Sequence, residues 1–344
     1  MEKPIVGVFI GRMQPIHNAH LKVIKMALSE VDKLVIVLGS ACQAKTIKNP
    51  WTTQERSEMI LSCLSKEERE KVSILPIKDH LYNDNLWLTS LQSGMTNILI
   101  GDKEFDIDDC EVILYGHDKD RSTFYLHLFP HWLFKETGSL GDVDATMVRE
   151  NYFRKDTLDI KRLVPEPVFE RLKREIGSEE YNRLYDEFRH IVEYKSIWAN
   201  APYPPTFVTA DAVVIKSGHV LVVRRRGFPG KGLLALPGGF INVNEKIVDG
   251  CLRELKEETS IGLPKDELRK RIVDEKVFDH PLRSLRGRTI THAFYIDLGS
   301  GALPKIKGSD DAEKAFWIPL SDVLRSEEVF FEDHFHIINY FVVR

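Results

Sequence analysis

The chain is 344 residues long, 43% hydrophobic and 29% charged, with a net charge of −4 at neutral pH. Its length exceeds that of a typical single domain, so two domains with cores of their own are expected. The negative balance leaves no basic footprint for nucleic acid, and no apolar run reaches membrane-spanning length.

Cys42, Cys63, Cys110 and Cys251 are scattered and form no Cys-x-x-Cys pair, and the chain enters an apolar run at Ile5 without a signal-peptide pattern. Reduced thiols in a cytoplasm are the expectation. Residues 5–10 (IVGVFI) read as a buried parallel strand ending at Gly11. Residues 19–29 carry Leu21, Ile24 and Leu28 at helical spacing. Residues 33–39 read as a second strand, 72–78 as a third and 111–116 as a fourth. Between the second and third, Thr52 or Thr53 caps a helix running to about Leu64, with Glu55 early in it. Strands alternating with helices imply a parallel sheet covered on both faces, with ligands beyond the carboxyl ends of the strands.

The segment Gly11-Arg12-Met13-Gln14-Pro15-Ile16-His17-Asn18-Ala19-His20 falls at such a strand end and opens the first helix. Two imidazoles at a helix start, beside exposed backbone N–H groups, suit a polyphosphate. Gly11 lets backbone come close to a ligand. His-x-x-His alone is a weak signal, because structural histidines commonly show it. The ten-residue context is stronger and resembles the nucleotidyltransferase superfamily. Its Gly11-Arg12-x-Gln14-Pro15 opening is similar to archaeal-type nicotinamide mononucleotide (NMN) adenylyltransferases.

That resemblance covers about residues 4–155. Asn49-Pro50-Trp51-Thr52, followed by Glu55-Arg56, resembles the family's nucleotide-side segment; Tyr82-Asn83-Asp84-Asn85-Leu86-Trp87 resembles its nicotinamide-side segment. Trp87 could stack on a pyridinium ring, and read by itself it is as readily a core tryptophan. Gly116-His117-Asp118-Lys119-Asp120 ends the fourth strand with polar residues toward a ligand. Asp144-Ala145-Thr146-Met147-Val148-Arg149 resembles the family's Ser-x-Thr-x-x-Arg, with Asp144 in the Ser position, where it can still cap a helix. The resemblance implies that His17, His20 and Arg149 hold the ATP phosphates. It implies substrate contacts from Gly11, Arg12, Gln14, Asn49, Arg56, Asn85, Trp87, Gly116, His117, Asp118 and Thr146.

Residues 166–193 look helical and highly charged, with apolar positions at Phe169, Leu172, Ile176, Leu184, Phe188 and Ile191. Pro202, Pro204 and Pro205 then exclude helix and favour extended linker. The expected division is a domain at residues 1–190, a linker at 191–205 and a second domain at 206–344.

Residues 206–216 and 219–225 read as strands joined by a Ser217-Gly218 turn. Arg224, Arg225 and Arg226 follow; a solvated basic edge and a substrate contact are equally good accounts of them. Farther on, Glu254, Glu257 and Glu258 lie at i, i+3 and i+4, so their carboxylates share a helix face, with Glu245 just ahead. Clustered carboxylates suit Mg²⁺ or Mn²⁺ and the phosphates such ions carry. The spacing from Gly239 through Glu245 to Arg253-Glu254-Leu255-x-Glu257-Glu258, after Leu236-Pro237-Gly238-Gly239, resembles the Nudix box. Ser260 departs from it, standing where the box has glycine.

The Nudix resemblance covers about residues 206–344. It implies Glu245, Glu254, Glu257 and Glu258 as metal ligands and Glu257 and Glu258 as catalytic, and leaves open which glutamate is the general base. Val277-Phe278-Asp279 and the loop bearing Arg283, Arg286 and Arg288 resemble the substrate loop of Nudix ADP-ribose pyrophosphatases and related ADP-ribose sensors. Arg225, Phe278, Arg283, Arg286 and Arg288 are therefore expected at the substrate. Residues 332–343 read as a terminal helix.

The fold expected is α/β throughout: a Rossmann-like nucleotidyltransferase domain with a parallel sheet, then a Nudix α/β/α sandwich. The order of the two resembles bifunctional NMN adenylyltransferase/Nudix hydrolases, which implies ATP, NMN, NAD and ADP-ribose as ligands. It leaves the oligomeric state open, a homo-oligomer included. Three competing functions remain. One is transfer to another phosphorylated acceptor, against which the Gly11-to-Pro15 opening and the Asn85/Trp87 segment speak. Another is a non-catalytic ADP-ribose sensor in the second domain. The third is DNA-binding regulation, which lacks a basic recognition helix.

Overall fold

β1 (Ile5–Gly11) is buried along its middle, as its unbroken apolar run requires. It pairs in parallel with β2 (Lys33–Leu38) on one side and β4 (Glu111–Gly116) on the other. With β3 (Val72–Pro76) and β5 (Leu133–Glu136) this gives a fully parallel sheet in the order β3-β2-β1-β4-β5. This is the Rossmann-like architecture. The computed structural model describes residues 3–101, 110–117, 126–138, 143–307 and 312–343. The chain divides into two units, Met1–Tyr185 and Asp186–Arg344.

In the first unit α1 (Asn18–Leu28) starts at N-cap His17, and α2 (Thr53–Ser62) starts at Thr52 with a capping box to Glu55, as the sequence predicted. α3 (Lys66–Glu70) and α4 (Asp84–Gly101) follow. Val6, Val8 and Ile10 of β1 pack with Leu91, Met95 and Leu99 of α4 in one apolar cluster. α5 (Ala145–Arg154), capped by Asp144, precedes α6 (Thr157–Leu163) and α7 (Glu166–Glu175), and α8 (Glu179–Ile197) begins in this unit and continues past Tyr185 into the second. The single helix expected over residues 166–193 is two. Gly177 takes φ +93° between them, and Ser178 Oγ accepts the Tyr181 N–H at the new start. The helical pattern did not show this break, because Ile176 and Leu184 keep the apolar stripe in phase across it.

The second unit is built on β6 (Thr206–Lys216) and β7 (His219–Arg225), joined through Ser217 and Gly218, both at positive φ. β8 (Leu234–Ala235) and β9 (Gly238–Phe240) are short strands on β7 and β6. Helix α9 (Ile247–Thr259) carries the box, and α10 (Lys265–Lys270) follows it. β10 (Ile272–Phe278), β11 (Arg288–Asp297) and β12 (Ala312–Pro319) complete a mixed sheet, β10-β11-β6-β7-β12, in which β11 and β6 are parallel. α11 (Leu320–Val323) and α12 (His334–Val342) end the chain. Cys251, Leu252 and Leu255 of α9 are buried against Ala210, Ala212 and Val214 of β6. That contact fixes which face of α9 is left for Glu254 and Glu258. Among the described residues no helix is long and apolar enough to cross a membrane.

Ser260 resolves the departure from the box. It caps α9 in the left-handed conformation, φ 46°, and its N–H bonds the Lys256 carbonyl. A serine thus adopts the backbone a glycine would take more easily, at a cost of roughly 1 kcal/mol.

Candidate active sites

In the first unit the segment after β1 is fixed by its own polar side chains. Gln14 exchanges two hydrogen bonds with the Trp51 backbone, donating to its carbonyl at 2.8 Å and accepting its N–H at 3.1 Å. Arg56 is almost fully buried and donates to the carbonyls of Arg12, Gly39 and Ser40. Arg149 donates to the Gln14 carbonyl at 2.7 Å and to Thr146 Oγ1 at 3.0 Å. Gln14 and Arg56, both expected at the substrate, anchor the loop through these bonds. A buried guanidinium satisfied by carbonyls holds the loop as a strut.

The His17 and His20 rings stack with centroids 3.6 Å apart, and His17 Nδ1 accepts the His20 N–H at 3.5 Å. A ring that accepts at Nδ1 carries its neutral-form proton on Nε2. Burial, together with the like charge of exposed Arg12, lowers both Arg56 and Arg149 to about 10. Three guanidinium groups and two imidazoles at one helix start form a place for an anion. Asn49 is buried, and its Oδ1 has no hydrogen-bond partner in the protein. The Ser40 N–H and hydroxyl both donate to Asp79, which holds the loop after β2.

Other predicted residues lie farther along. Asn85 is exposed on the first turn of α4, while Trp87 packs against the apolar cluster under that helix. The Gly116 carbonyl accepts the Thr137 N–H, and His117 Nδ1 is 2.6 Å from Glu136. Gly11 ends β1, with its carbonyl bound to the Gly39 N–H. Asp118 lies outside the described residues.

In the second unit Gly238 and Gly239 leave room for carboxylates. A Cβ on Gly239 would stand 2.7 Å from the Glu254 carboxylate, and one on Gly238 would stand 2.4 Å from Asp211 Oδ1. The Gly238 N–H donates to Glu258 Oε2 at 3.0 Å. Burial, with the charges of Glu254 and Asp211, raises Glu258 to about 8; that hydrogen bond and Arg225 oppose the rise. Burial likewise raises Glu254.

The four predicted glutamates are not equivalent. Arg253 donates to Glu245 at 2.7 Å, to Glu254 at 2.7 Å and to Glu257 at 3.0 Å. Its hydrogen bond and that of the Asn242 N–H pull Glu245 down to about 2. Like charges on one helix face repel, and here an arginine inside the motif offsets that repulsion. Among the described residues no three His, Cys, Asp or Glu side chains stand together as a metal cage. Glu254 and Glu258 nevertheless fit a divalent ion: they are hard oxygen donors whose charged form is disfavoured by a desolvation that a cation would relieve.

Glu258 shares a pocket with Asp211, Arg225, Phe240, Arg283, Arg286, Phe331 and Glu332. Arg225 lies 4.0 Å over the Phe331 ring, and Arg286 stacks on Phe240 at 5.0 Å. The other residues expected at the substrate have partners within the protein, Arg283 while still lining this pocket. Arg283 forms a buried pair with Asp333 at 2.8 and 2.9 Å, and Arg288 pairs with Asp279. Phe278 is fully buried against Tyr340 and Phe341, because strand alternation turns Val277 outward and Phe278 inward. Arg253 was visible in the box but not singled out. Asp211, Phe331 and Glu332 carry no sequence signal of their own.

Residues 8–151 match the cytidylyltransferase-like family and residues 205–341 the NUDIX domain family. The chain is 38% identical over 183 residues to the nicotinamide/nicotinic acid mononucleotide adenylyltransferase of Acinetobacter baylyi, covering 53% of this chain and 92% of that one. It is 42% identical over 91 residues to the nicotinamide-nucleotide adenylyltransferase of Thermococcus onnurineus, covering 26% of this chain and 48% of that one. A bifunctional NMN adenylyltransferase/ADP ribose pyrophosphatase from Francisella tularensis matches with TM-score 0.90 and 33% identity over 99% of each chain. A Francisella structure of the same description, complexed with AMP and Mn ion, matches with TM-score 0.89 and 32% identity over 99% of each chain. With both motif sets folded into the expected sheets, the chain belongs to the bifunctional NMN adenylyltransferase/Nudix hydrolase family of enzymes.

Proposed function

We propose that the first unit joins NMN to ATP, giving NAD and pyrophosphate, and that the second hydrolyses ADP-ribose to AMP and ribose 5-phosphate. The observation that carries this is the end-to-end match to the Francisella protein together with the two motif sets in the sequence. In the transferase, an NMN phosphate oxygen attacks the α-phosphorus of ATP in line, and pyrophosphate leaves. His17, His20 and Arg149 bind the phosphates and stabilise the charge that develops there, while Gln14 and Arg56 keep the loop in place. Asn49 Oδ1 is an acceptor left for a donor on the nucleotide. Asn85 and Trp87 stand on the nicotinamide side.

In the hydrolase, Glu254 and Glu258 would hold a divalent ion, Mg²⁺ or Mn²⁺, while Glu245 and Glu257 are bound by Arg253. When bound, the ion supplies charge for the diphosphate and acidifies water. Arg225 and Arg286 neutralise the diphosphate, and Arg253 keeps three of the glutamates oriented. A cytoplasmic location belongs to this reading, supported by four free cysteines. Liquid chromatography of the pure protein with NMN plus ATP, and separately with ADP-ribose, each with Mg²⁺ or Mn²⁺, tests it. NAD and AMP are the expected products. Absence of NAD sinks the transferase assignment, and binding of ADP-ribose without AMP formation makes the second unit a sensor.

A further inference from the structure

Glu332 stands just ahead of α12 with φ 46°, in the left-handed region that a glutamate rarely occupies. Its neighbours hold it there. The Phe331 N–H bonds the Leu234 carbonyl at 2.8 Å, Asp333 is locked in the buried pair with Arg283, and His334 Nδ1 accepts the Leu236 N–H at 2.9 Å. The Glu332 side chain is 8% exposed. Its Oε1 is buried with no hydrogen-bond partner, and Oε2 is 3.8 Å from Arg286, beyond hydrogen-bond reach. It lines the same pocket as Glu258, Arg225 and Arg286. A strained backbone and a buried acceptor without a donor are together a reason to look for a ligand.

We infer that Glu332 is a specificity residue of the hydrolase site, accepting hydrogen bonds from a vicinal ribose diol of the nucleotide. This rests on the ADP-ribose reading of that site. A carboxylate only accepts, so it cannot bind the diphosphate, which Arg225 and Arg286 are placed to neutralise. The donors of ADP-ribose are the adenine amino group and the ribose hydroxyls. Only a diol offers two adjacent donors, one for each carboxylate oxygen. Two riboses carry such a diol, one on the adenosine and one at the far end.

The test measures affinity by calorimetry on the full chain, in EDTA so that nothing is hydrolysed. The ligands are ADP-ribose, its analogue lacking the adenosine 2′-hydroxyl, and its analogue lacking the terminal-ribose 2″-hydroxyl. The unsubstituted protein should bind one analogue about tenfold or more weakly than ADP-ribose, the loss expected for an acceptor left without its donor. That analogue identifies the ribose. Glu332→Gly suits the left-handed backbone and should fold with an unchanged or raised melting temperature. It should bind ADP-ribose about tenfold more weakly and lose the preference, with affinities for ADP-ribose and that analogue converging. With Mg²⁺ added, the substitution should raise KM for ADP-ribose and leave kcat near its starting value. Persistence of the preference in Glu332→Gly overturns the inference, as does the lack of any preference in the unsubstituted protein. A kcat loss at constant KM also overturns it. Binding with the predicted discrimination but no hydrolysis removes the hydrolase assignment and leaves the role of Glu332 intact.

Discussion

In the first unit the arginines near the phosphate-facing loop are spent on backbone carbonyls; in the second the carboxylates of the box helix are gathered around an arginine. Arg56 and Arg149 position Arg12, Gln14 and the helix start by bonding the chain itself, and the site as a whole keeps an excess of positive charge. Arg253 does the reverse, drawing Glu245, Glu254 and Glu257 together and leaving Glu258 buried against the Gly238 N–H. The difference follows from the ligands proposed. A polyphosphate needs donors already in place, whereas a divalent ion needs acceptors held close without an ion to hold them. In the second site Arg253 sets geometry without meeting the proposed ligand, whereas in the first Arg149 both braces the loop and faces the proposed phosphates.

The sharpest way to break this comparison is at Glu258. Glu258→Gln removes the charge and any general-base capacity but keeps the shape, so ADP-ribose hydrolysis should fall by about 10²–10⁴-fold. NAD synthesis, measured on the same sample, should not change. Equal loss of both would mean that the substitution unfolds the chain. His20→Ala is the converse and should lower NAD synthesis by about 10²-fold or more while sparing hydrolysis. Near-normal NAD synthesis in that variant would remove His20 from the phosphate site.

Arg253→Ala should weaken metal binding and hydrolysis by about 10–100-fold, the usual range for a group that orients ligands. Its signature is a higher Mn²⁺ concentration at half-maximal rate, with partial recovery in Arg253→Lys. If neither moves, the arginine only relieves repulsion on the helix.

A pH series sharpens the role of Glu258. Its carboxyl sits at about 8 in the folded, metal-free protein against an ordinary 4.5, so the folded state holds a proton that the unfolded state has lost. Stability from this group is full below about 4.5 and declines as pH rises toward 8. Urea unfolding in EDTA should show that decline, and Glu258→Gln should flatten it. Metal binding below pH 8 should release up to one proton, read by calorimetry in buffers of different ionisation enthalpy. The smallest effect is expected at Ser260→Gly, which relieves the left-handed cap and should stabilise the second unit by about 0.5–1 kcal/mol. A fall in melting temperature there would show that the serine side chain does more than tolerate the turn.

Much of this was legible in advance because it is local. Apolar runs gave β1, β2 and β4 within a residue or so; Thr52 and Asp144 cap helices as read; Ser217 and Gly218 turn β6 into β7. Short or irregular pieces were not legible. β5, β8 and β9 span only four, two and three residues, too few for any period to show. Gly177 breaks a helix whose apolar stripe continues in phase through the break.

What the sequence determined by itself was the alternation of elements, the two motif sets and therefore the family, since spacing along a helix or after a strand is a property of the chain. What only the tertiary structure decided was which side of each motif remains for a ligand. Arg283, Arg286 and Arg288 are alike in sequence, yet Asp333 claims the first, Asp279 the last, and only Arg286 lies against Phe240 in the pocket. Phe278 turns inward by strand parity, and Arg56 is consumed by carbonyls from two loops. Glu332 comes to 3.8 Å from Arg286 across 46 residues of chain, short of a hydrogen bond. Such assignments depend on long-range partners that compete for the same side chain, and which partner wins is fixed only when the sheet and α12 bring them within hydrogen-bond distance.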